Sequence, residues 1–167
     1  MDYQIRPEQS EDTARIRDVT TAAFAVAEHS SGTEGAIVDA LRAAGALSVS
    51  LVATMESAVV GHVAFSPVTL NGADLGWYGL GPVSVRPDLQ GRGIGAALIR
   101  AGLERLNALN AKGCVVLGDP AYYPRFGFRQ DPAIQYAGVP AEYFMALSLD
   151  GSKAEGQVAY HSGFSAT

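Results

Sequence analysis

At 167 residues and 48% hydrophobic side chains, the chain is expected to fold as one domain around a full core. Twelve Lys and Arg against seventeen Asp and Glu leave a net charge of −5. That balance argues against a general nucleic-acid surface, which is normally basic, and a mildly acidic surface suits a cationic amine. The lone Cys114 excludes an internal disulfide, no apolar stretch reaches about 18 residues, and the first ten residues hold no apolar signal core. A cytoplasmic protein without a membrane span is therefore expected.

In chain order, Tyr3–Pro7 alternates and stops at a proline, so it reads as a first strand. Ser10 is an N-cap for a helix from about Glu11 to Ala27, with Ile16, Val19, Ala23 and Val26 on its apolar face. Thr33 caps a second helix carrying Ile37, Leu41 and Ala44, ended by Gly45. Two strand-like runs follow, Ser48–Thr54 and Val59–Val68, joined by the hairpin-sized Met55–Ala58. Asn71-Gly72 signals another hairpin into Leu75–Val85. That run contains Gly76, Gly79, Gly81 and Pro82, which suit a bulged strand closely approached by a ligand.

The stretch from Leu80 to Leu98 carries the most information. A β-branched run and a proline turn lead into Gly91, Gly93 and Gly95, and then into an apolar helical pattern to about Asn110. Ile94, Leu98, Ala101, Leu106 and Leu109 form the buried face expected of that helix. A strand that opens a helix through glycines presents unpaired N–H groups and a positive dipole end, which is an anion site and most naturally a phosphate site. A Walker loop is excluded because no Lys follows the glycines. A dinucleotide fingerprint lacks its third glycine, and Glu104 comes too early for the ribose acid. A glycine-rich helix entry with no ligand is the bland alternative.

The pattern Gln-x-x-Gly-x-Gly, at Gln90, Gly93 and Gly95, resembles motif A of the GCN5-related N-acetyltransferases (GNAT). Farther on, Tyr123 stands four residues before Gly127, and Phe128 follows, as in the short tyrosine-bearing segment after that family's fifth strand. Trp77–Val83 and Gly118–Tyr123 are similar to its YhbS-like branch. The likeness spans roughly residues 3–149.

The resemblance implies an α/β fold: a central, mixed and mostly antiparallel sheet of about seven strands, splayed between strands four and five, with helices on both faces. Cys114–Leu117 is then the fifth strand, and Tyr143–Leu149 and Gln157–His161 are closing strands. It implies transfer of an acetyl group from acetyl-coenzyme A to a primary amine of a small molecule or peptide, by direct attack in a ternary complex and without a metal. No His, Cys or Asp spacing suggests a metal site.

The implied pyrophosphate contacts are the backbone of Gly91, Arg92, Gly93, Ile94, Gly95 and Ala96, with the side chains of Gln90 and Arg92 alongside. The pantetheine arm is implied to pair with the fourth strand at Val83, Ser84 and Val85. Tyr123 is the implied general acid at the sulfur and a cofactor contact, its alternative being a packed aromatic beside Tyr122, Phe126 and Phe128.

Many family members place a Glu on or near the fourth strand. Leu75–Val85 holds no carboxylate, and Asp74 and Asp88 lie outside it. The base is then water relayed by backbone carbonyls, or a group such as His62 or Asp119, although a satisfied strand histidine and a helix cap explain those two equally. Glu28, His29, Glu34, Trp77 and Tyr143 are candidates for the acceptor site, each with a surface or packing explanation beside it. The missing carboxylate keeps open an acyl-coenzyme A-binding sensor with little catalysis. A homodimer is left open, since nothing in the sequence separates an interface patch from core.

Overall fold

The computed structural model describes residues 2–27, 30 and 32–167. The elements run β1 (Gln4–Pro7), α1 (Thr13–Ala25), α2 (Glu34–Ala43), β2 (Val49–Met55), β3 (Ala58–Leu70), β4 (Trp77–Val85), α3 (Ile94–Ala108), β5 (Gly113–Leu117), β6 (Ile134–Gln135), β7 (Phe144–Ser148) and β8 (Gly156–Tyr160). Among the described residues, eight strands form one sheet. Its main path is β1-β2-β3-β4-β5-β7, with β8 pairing the far end of β3 and β6 pairing β8. The strand beyond the expected seven is the two-residue β6, too short to leave an alternation in the sequence. All pairs are antiparallel except β4 with β5 and β6 with β8.

Both hairpins form where the turn residues require. Glu56 and Ser57 take φ of 50° and 68°, and Asn71 and Gly72 take 51° and 81°. Two consecutive positive φ values match the twist of antiparallel strands.

Helix α3 covers one sheet face. Its buried stripe is Ile94, Leu98, Ile99, Gly102, Leu103 and Leu106, while Leu109 lies beyond the helix end and is 51% exposed. The expected stripe included Leu109 because apolar spacing does not show where a helix stops. Gly102 is required, because a Cβ there would sit 2.6 Å from Cζ of the fully buried Phe65 on β3. The opposite face is covered over β2, β3 and β4 by α1 and α2, where Ile16, Val38 and Val52 interlock. Farther along, β6 and β8 enclose Val68, Trp77, Val115, Ile134, Phe144 and Val158. Each such side chain, when fully buried, contributes roughly 1.5–3 kcal/mol.

Helix α1 starts later than expected. Residues Ser10–Asp12 form a 3-10 turn in which the Asp12 carboxylate accepts the Gln9 N–H at 2.7 Å and pairs with Arg6 at 2.7 Å. Asp12, not Ser10, organises the entry. Val26 falls at the C-cap rather than on the buried face and is 64% exposed.

The sheet forks between β4 and β5. Trp77, Tyr78 and Gly79 pair with Gly113, Cys114 and Val115, and from Leu80 onward β4 has no strand partner on that side. On its other side β4 is bulged. Val83 opposes Val63 and Leu80 opposes Phe65, so Gly81 and Pro82, joined by a cis bond, together face Ala64. A bulge of this kind bends the strand and re-aims its backbone, here at the mouth of the fork.

Candidate active site

At its end β4 runs into a 3-10 turn, Pro87–Leu89, and then into the glycines. The Gln90 side chain donates to the Val85 carbonyl at 3.0 Å and pins the turn to the strand. Gly91 and Gly93 both lie in the left-handed region, at φ of 77° and 87°, so both demand glycine. Gly93 is the N-cap of α3, and the first helical bond runs from Ala97 N–H to its carbonyl at 3.0 Å. The amides of Ile94, Gly95 and Ala96 thus precede the first helical bond, and no side chain among the described residues caps them. They face a cavity of about 280 Å³ lined by Val85, Leu89, Gln90, Gly91, Gly93, Ile94, Gly95 and Ala96, with Tyr122 and Arg125 across it.

Most of the expected phosphate-loop residues therefore converge on one concavity. Val83 lines a second, apolar cavity of about 260 Å³, which shares Val85 and Gln90 with the first and lies against Phe24, Val26 and Ala27 at the end of α1. Three residues sit elsewhere. Arg92 is exposed and outside both linings. Ser84 is buried on the α1 side, its hydroxyl 3.2 Å from that of Thr20. Tyr123 lies outside both linings, its ring edge-on to that of Tyr122 at 5.1 Å between centroids.

Tyr122 was read in the sequence only as an aromatic neighbour of Tyr123, and Arg125 was missed. The Arg125 guanidinium lies 4.2 Å from the Tyr122 ring centroid and its Nε donates to the Tyr122 carbonyl at 2.8 Å, which holds a cation beside the loop. Their place in the short segment before Gly127-Phe128 was the available signal. Only the three-dimensional fold brings that segment against the α3 N-terminus.

Tyr123 begins a 3-10 turn, Tyr123–Phe126. Its ring packs against Gly118, where a Cβ would strike it, and edge-on to Phe128 at 6.1 Å between centroids. Burial, then the neighbouring Tyr122 and Asp119, push its phenol up to about 12. The group is neutral and a hydrogen-bond donor at ordinary pH.

The acid–base candidates resolve individually. Asp119 caps the turn, accepting the Ala121 N–H at 2.8 Å on Oδ1 and the Tyr122 N–H at 3.0 Å on its carbonyl. Asp88 is paired with Arg86 at 2.6 Å, and Asp74 accepts the Gly76 N–H at 3.1 Å. Trp77 is buried in the β8-side core, and Tyr143 is exposed just before β7. Glu34 binds the Ser30 hydroxyl at 2.9 Å, while Glu28 and His29 lie outside the described residues. Cys114 is fully buried, and burial pushes its thiol far above the ordinary range, so it is not a nucleophile.

His62 is fully buried, its Nε2 2.8 Å from the Ser50 hydroxyl and 3.9 Å from Glu8. Arg42 binds the same Glu8 carboxylate at 2.9 Å. Burial drives the imidazole down to about 4, against the pull of Glu8. His62 is thus a neutral core residue rather than a poised base. A histidine whose folded pKa lies below its unfolded value of 6.5 loses stability as pH falls from 6.5 toward 4. The urea midpoint is expected to drop across that window in the wild type and to flatten there in His62→Gln. Against the effect of burial, hydrogen bonds from Arg42 and Ser50 hold the Glu8 carboxyl below its ordinary value.

A forked α/β sheet whose bulged strand feeds a glycine-capped helix defines a class of acyl-transfer folds, and comparison with known proteins agrees. The GNAT acetyltransferase domain model matches residues 46–130. A GNAT family acetyltransferase from Brucella melitensis, solved in complex with acetyl-CoA, superposes with a TM-score of 0.88 at 51% identity, covering 98% of each chain. The uncharacterized N-acetyltransferase YhbS of Escherichia coli is 38% identical over 141 residues, 80% of this chain and 84% of its own. Its structure in complex with CoA superposes with a TM-score of 0.87, covering 98% of this chain and 92% of that one. The chain belongs to the GNAT acetyltransferase family and is an acyltransferase. No helix among the described residues is long and apolar enough to cross a membrane, and none of their His, Cys, Asp and Glu group as a metal site.

Proposed function

We propose that the protein transfers an acetyl group from acetyl-CoA to a primary amine of a small molecule or peptide, by direct attack in a ternary complex. The observation that carries this reading is the cavity at the α3 N-terminus, opening at the end of a strand whose edge is unpaired from Leu80 onward. The free amides of Ile94, Gly95 and Ala96, with the left-handed glycines and Gln90, suit a pyrophosphate. Arg125 supplies a charge-assisted contact. The unpaired edge of β4 suits the amide-bearing pantetheine arm, which can lie along it as an added strand. The two relatives solved with acetyl-CoA and CoA support the same assignment.

In the reaction the acceptor nitrogen bonds to the acyl carbon, the carbon–sulfur bond breaks, and the amine gives up a proton. Tyr123 is the residue proposed to face the departing sulfur, offering its phenolic proton as negative charge develops there. Backbone N–H groups of the bulged β4 polarise the carbonyl. With Asp74, Asp88, Asp119 and His62 committed elsewhere, the amine proton leaves through water and backbone carbonyls. Those same commitments favour a second reading, an acyl-CoA sensor with little turnover.

Calorimetric titration with acetyl-CoA, CoA and NADH, followed by thiol release over an amine panel, tests the proposal. Saturable binding of the two coenzyme A forms alone, with amine-dependent thiol release, is expected. Binding with no release favours the sensor. No binding by folded protein overturns both readings.

A further inference from the structure

Near the phosphate cavity stands a second cation that the reaction above does not use. Arg100 lies on α3 four residues after Ala96, so it shares a helix face with Ala96 and sits one turn farther from the cavity that Ala96 lines. Its guanidinium carbon is 5.0 Å from the ring centroid of Phe126. Phe126 meets Tyr122 edge-on at 5.4 Å between centroids, and Tyr122 carries Arg125 in the same way at 4.2 Å. Two guanidiniums are thus held on neighbouring rings of one segment, one reaching it from α3. Arg6, Arg17, Arg42 and Arg86 each hold a carboxylate, whereas among the described residues Arg100 and Arg125, both exposed, hold none. Glu104 stands four residues after Arg100, at ordinary ion-pair spacing, yet the guanidinium lies over Phe126 instead. No protein acceptor among the described residues takes the N–H donors of Arg100. A guanidinium fork fixed on a ring, with its donors unmet and no counter-ion, fits a phosphate.

Resting on the placement of the coenzyme's diphosphate in that cavity, we propose that Arg100 binds the 3′-phosphate of acetyl-CoA and so distinguishes the coenzyme from its dephospho form. The chemistry of coenzyme A sets the direction. Its diphosphate joins the pantetheine arm at one end to the 3′-phosphorylated adenosine at the other. With the arm running from the cavity along the free edge of β4, the nucleotide leaves on the other side, between the first turns of α3 and the Tyr123–Phe126 turn. Arg125 lines the cavity itself and stands by the diphosphate. Arg100 is one turn, about 5.4 Å, farther along the helix, a step that suits a phosphate carried on the adjoining ribose. A phosphate monoester bears about −1.5 to −2 charges at neutral pH and three acceptor oxygens, which a guanidinium meets with two parallel donors. Phe126 is anchored against the core, so the fork it carries is held in place before the ligand arrives. In a chain of net charge −5, cations left without carboxylates at this mouth also ease the approach of a polyanion.

The test is calorimetric titration of CoA and of 3′-dephospho-CoA into wild type, Arg100→Gln and Arg105→Gln. Arg105 is an exposed arginine in the last turn of α3, and its variant controls for net charge. Glutamine is a good helix former and Arg100 is exposed, so the melting temperature of Arg100→Gln should match wild type. Wild type should bind CoA about tenfold more tightly than the dephospho form, the low end for hydrogen bonds between charged groups. Arg100→Gln should reduce that preference to about twofold or less and leave the Kd for the dephospho form unchanged. Arg105→Gln should keep the preference. Raising the salt from about 0.1 M to about 1 M should erode the wild-type preference and leave that of Arg100→Gln nearly constant. No preference in wild type, a preference retained in Arg100→Gln, or an equal loss of both ligands in that variant would overturn this assignment and leave the diphosphate placement intact. Failure of wild type to bind either form overturns that placement and this inference with it.

Discussion

Gly93→Asp should abolish acetyl-CoA binding while leaving a folded protein. A Cβ at Gly93 meets no protein atom within 4 Å, so the substitution is not excluded by packing. What it meets is backbone strain and charge. Gly93 sits at φ 87°, which costs a residue with a side chain about 1–2 kcal/mol. The carboxylate would project beside the amides proposed to receive the pyrophosphate. Two like charges about 4 Å apart repel by about 4 kcal/mol at the effective dielectric of a protein surface, so the Kd should rise by about 100-fold or more. Gly93→Asn separates the two effects, because asparagine tolerates the left-handed region and is uncharged. It should bind within about tenfold of wild type. A Kd for Gly93→Asp close to that of Gly93→Asn would remove the anion from this loop.

The same glycine marks where the sequence was most legible. Gly91, Gly93, the proline turn and the apolar run after them specify a strand, a tight turn and a helix start by backbone conformation alone, and all three form in place. The bulge in β4 was equally readable, since Gly81-Pro82 cannot continue an ordinary ladder. Boundaries were less so. Helix α1 begins at Thr13 because the Asp12 carboxylate, held by Arg6, claims the Gln9 amide, and that partnership joins the first strand to the turn after it. Residues that meet only in three dimensions were not legible at all. Arg125 against the loop, Ser84 turned to Thr20, and Tyr160 under Gly79 each depend on contacts between distant segments. His62 shows the reverse case, a residue whose type invites a chemical role and whose burial removes it.

Tyr123→Phe should lower kcat by about 100-fold and leave the Kd for acetyl-CoA within about twofold. The ring is held by Gly118 and Phe128, and phenylalanine keeps both contacts, so the fold should not change. The size of the effect follows from a mismatch in proton affinity. A thiol has a pKa of about 8.5, and the Tyr123 phenol is pushed up to about 12. Full transfer from phenol to thiolate is then uphill, so in the proposed reaction Tyr123 would act mainly by a hydrogen bond that strengthens as charge collects on sulfur. That places its contribution at the low end of the range for a general acid. It also fixes the alkaline behaviour. A tyrosine of ordinary pKa would begin to lose its proton near pH 10, whereas this one holds it beyond that point. The wild-type rate should show no loss attributable to Tyr123 up to about pH 10. A wild-type kcat in Tyr123→Phe would return the residue to a purely packing role and leave the departing sulfur to water.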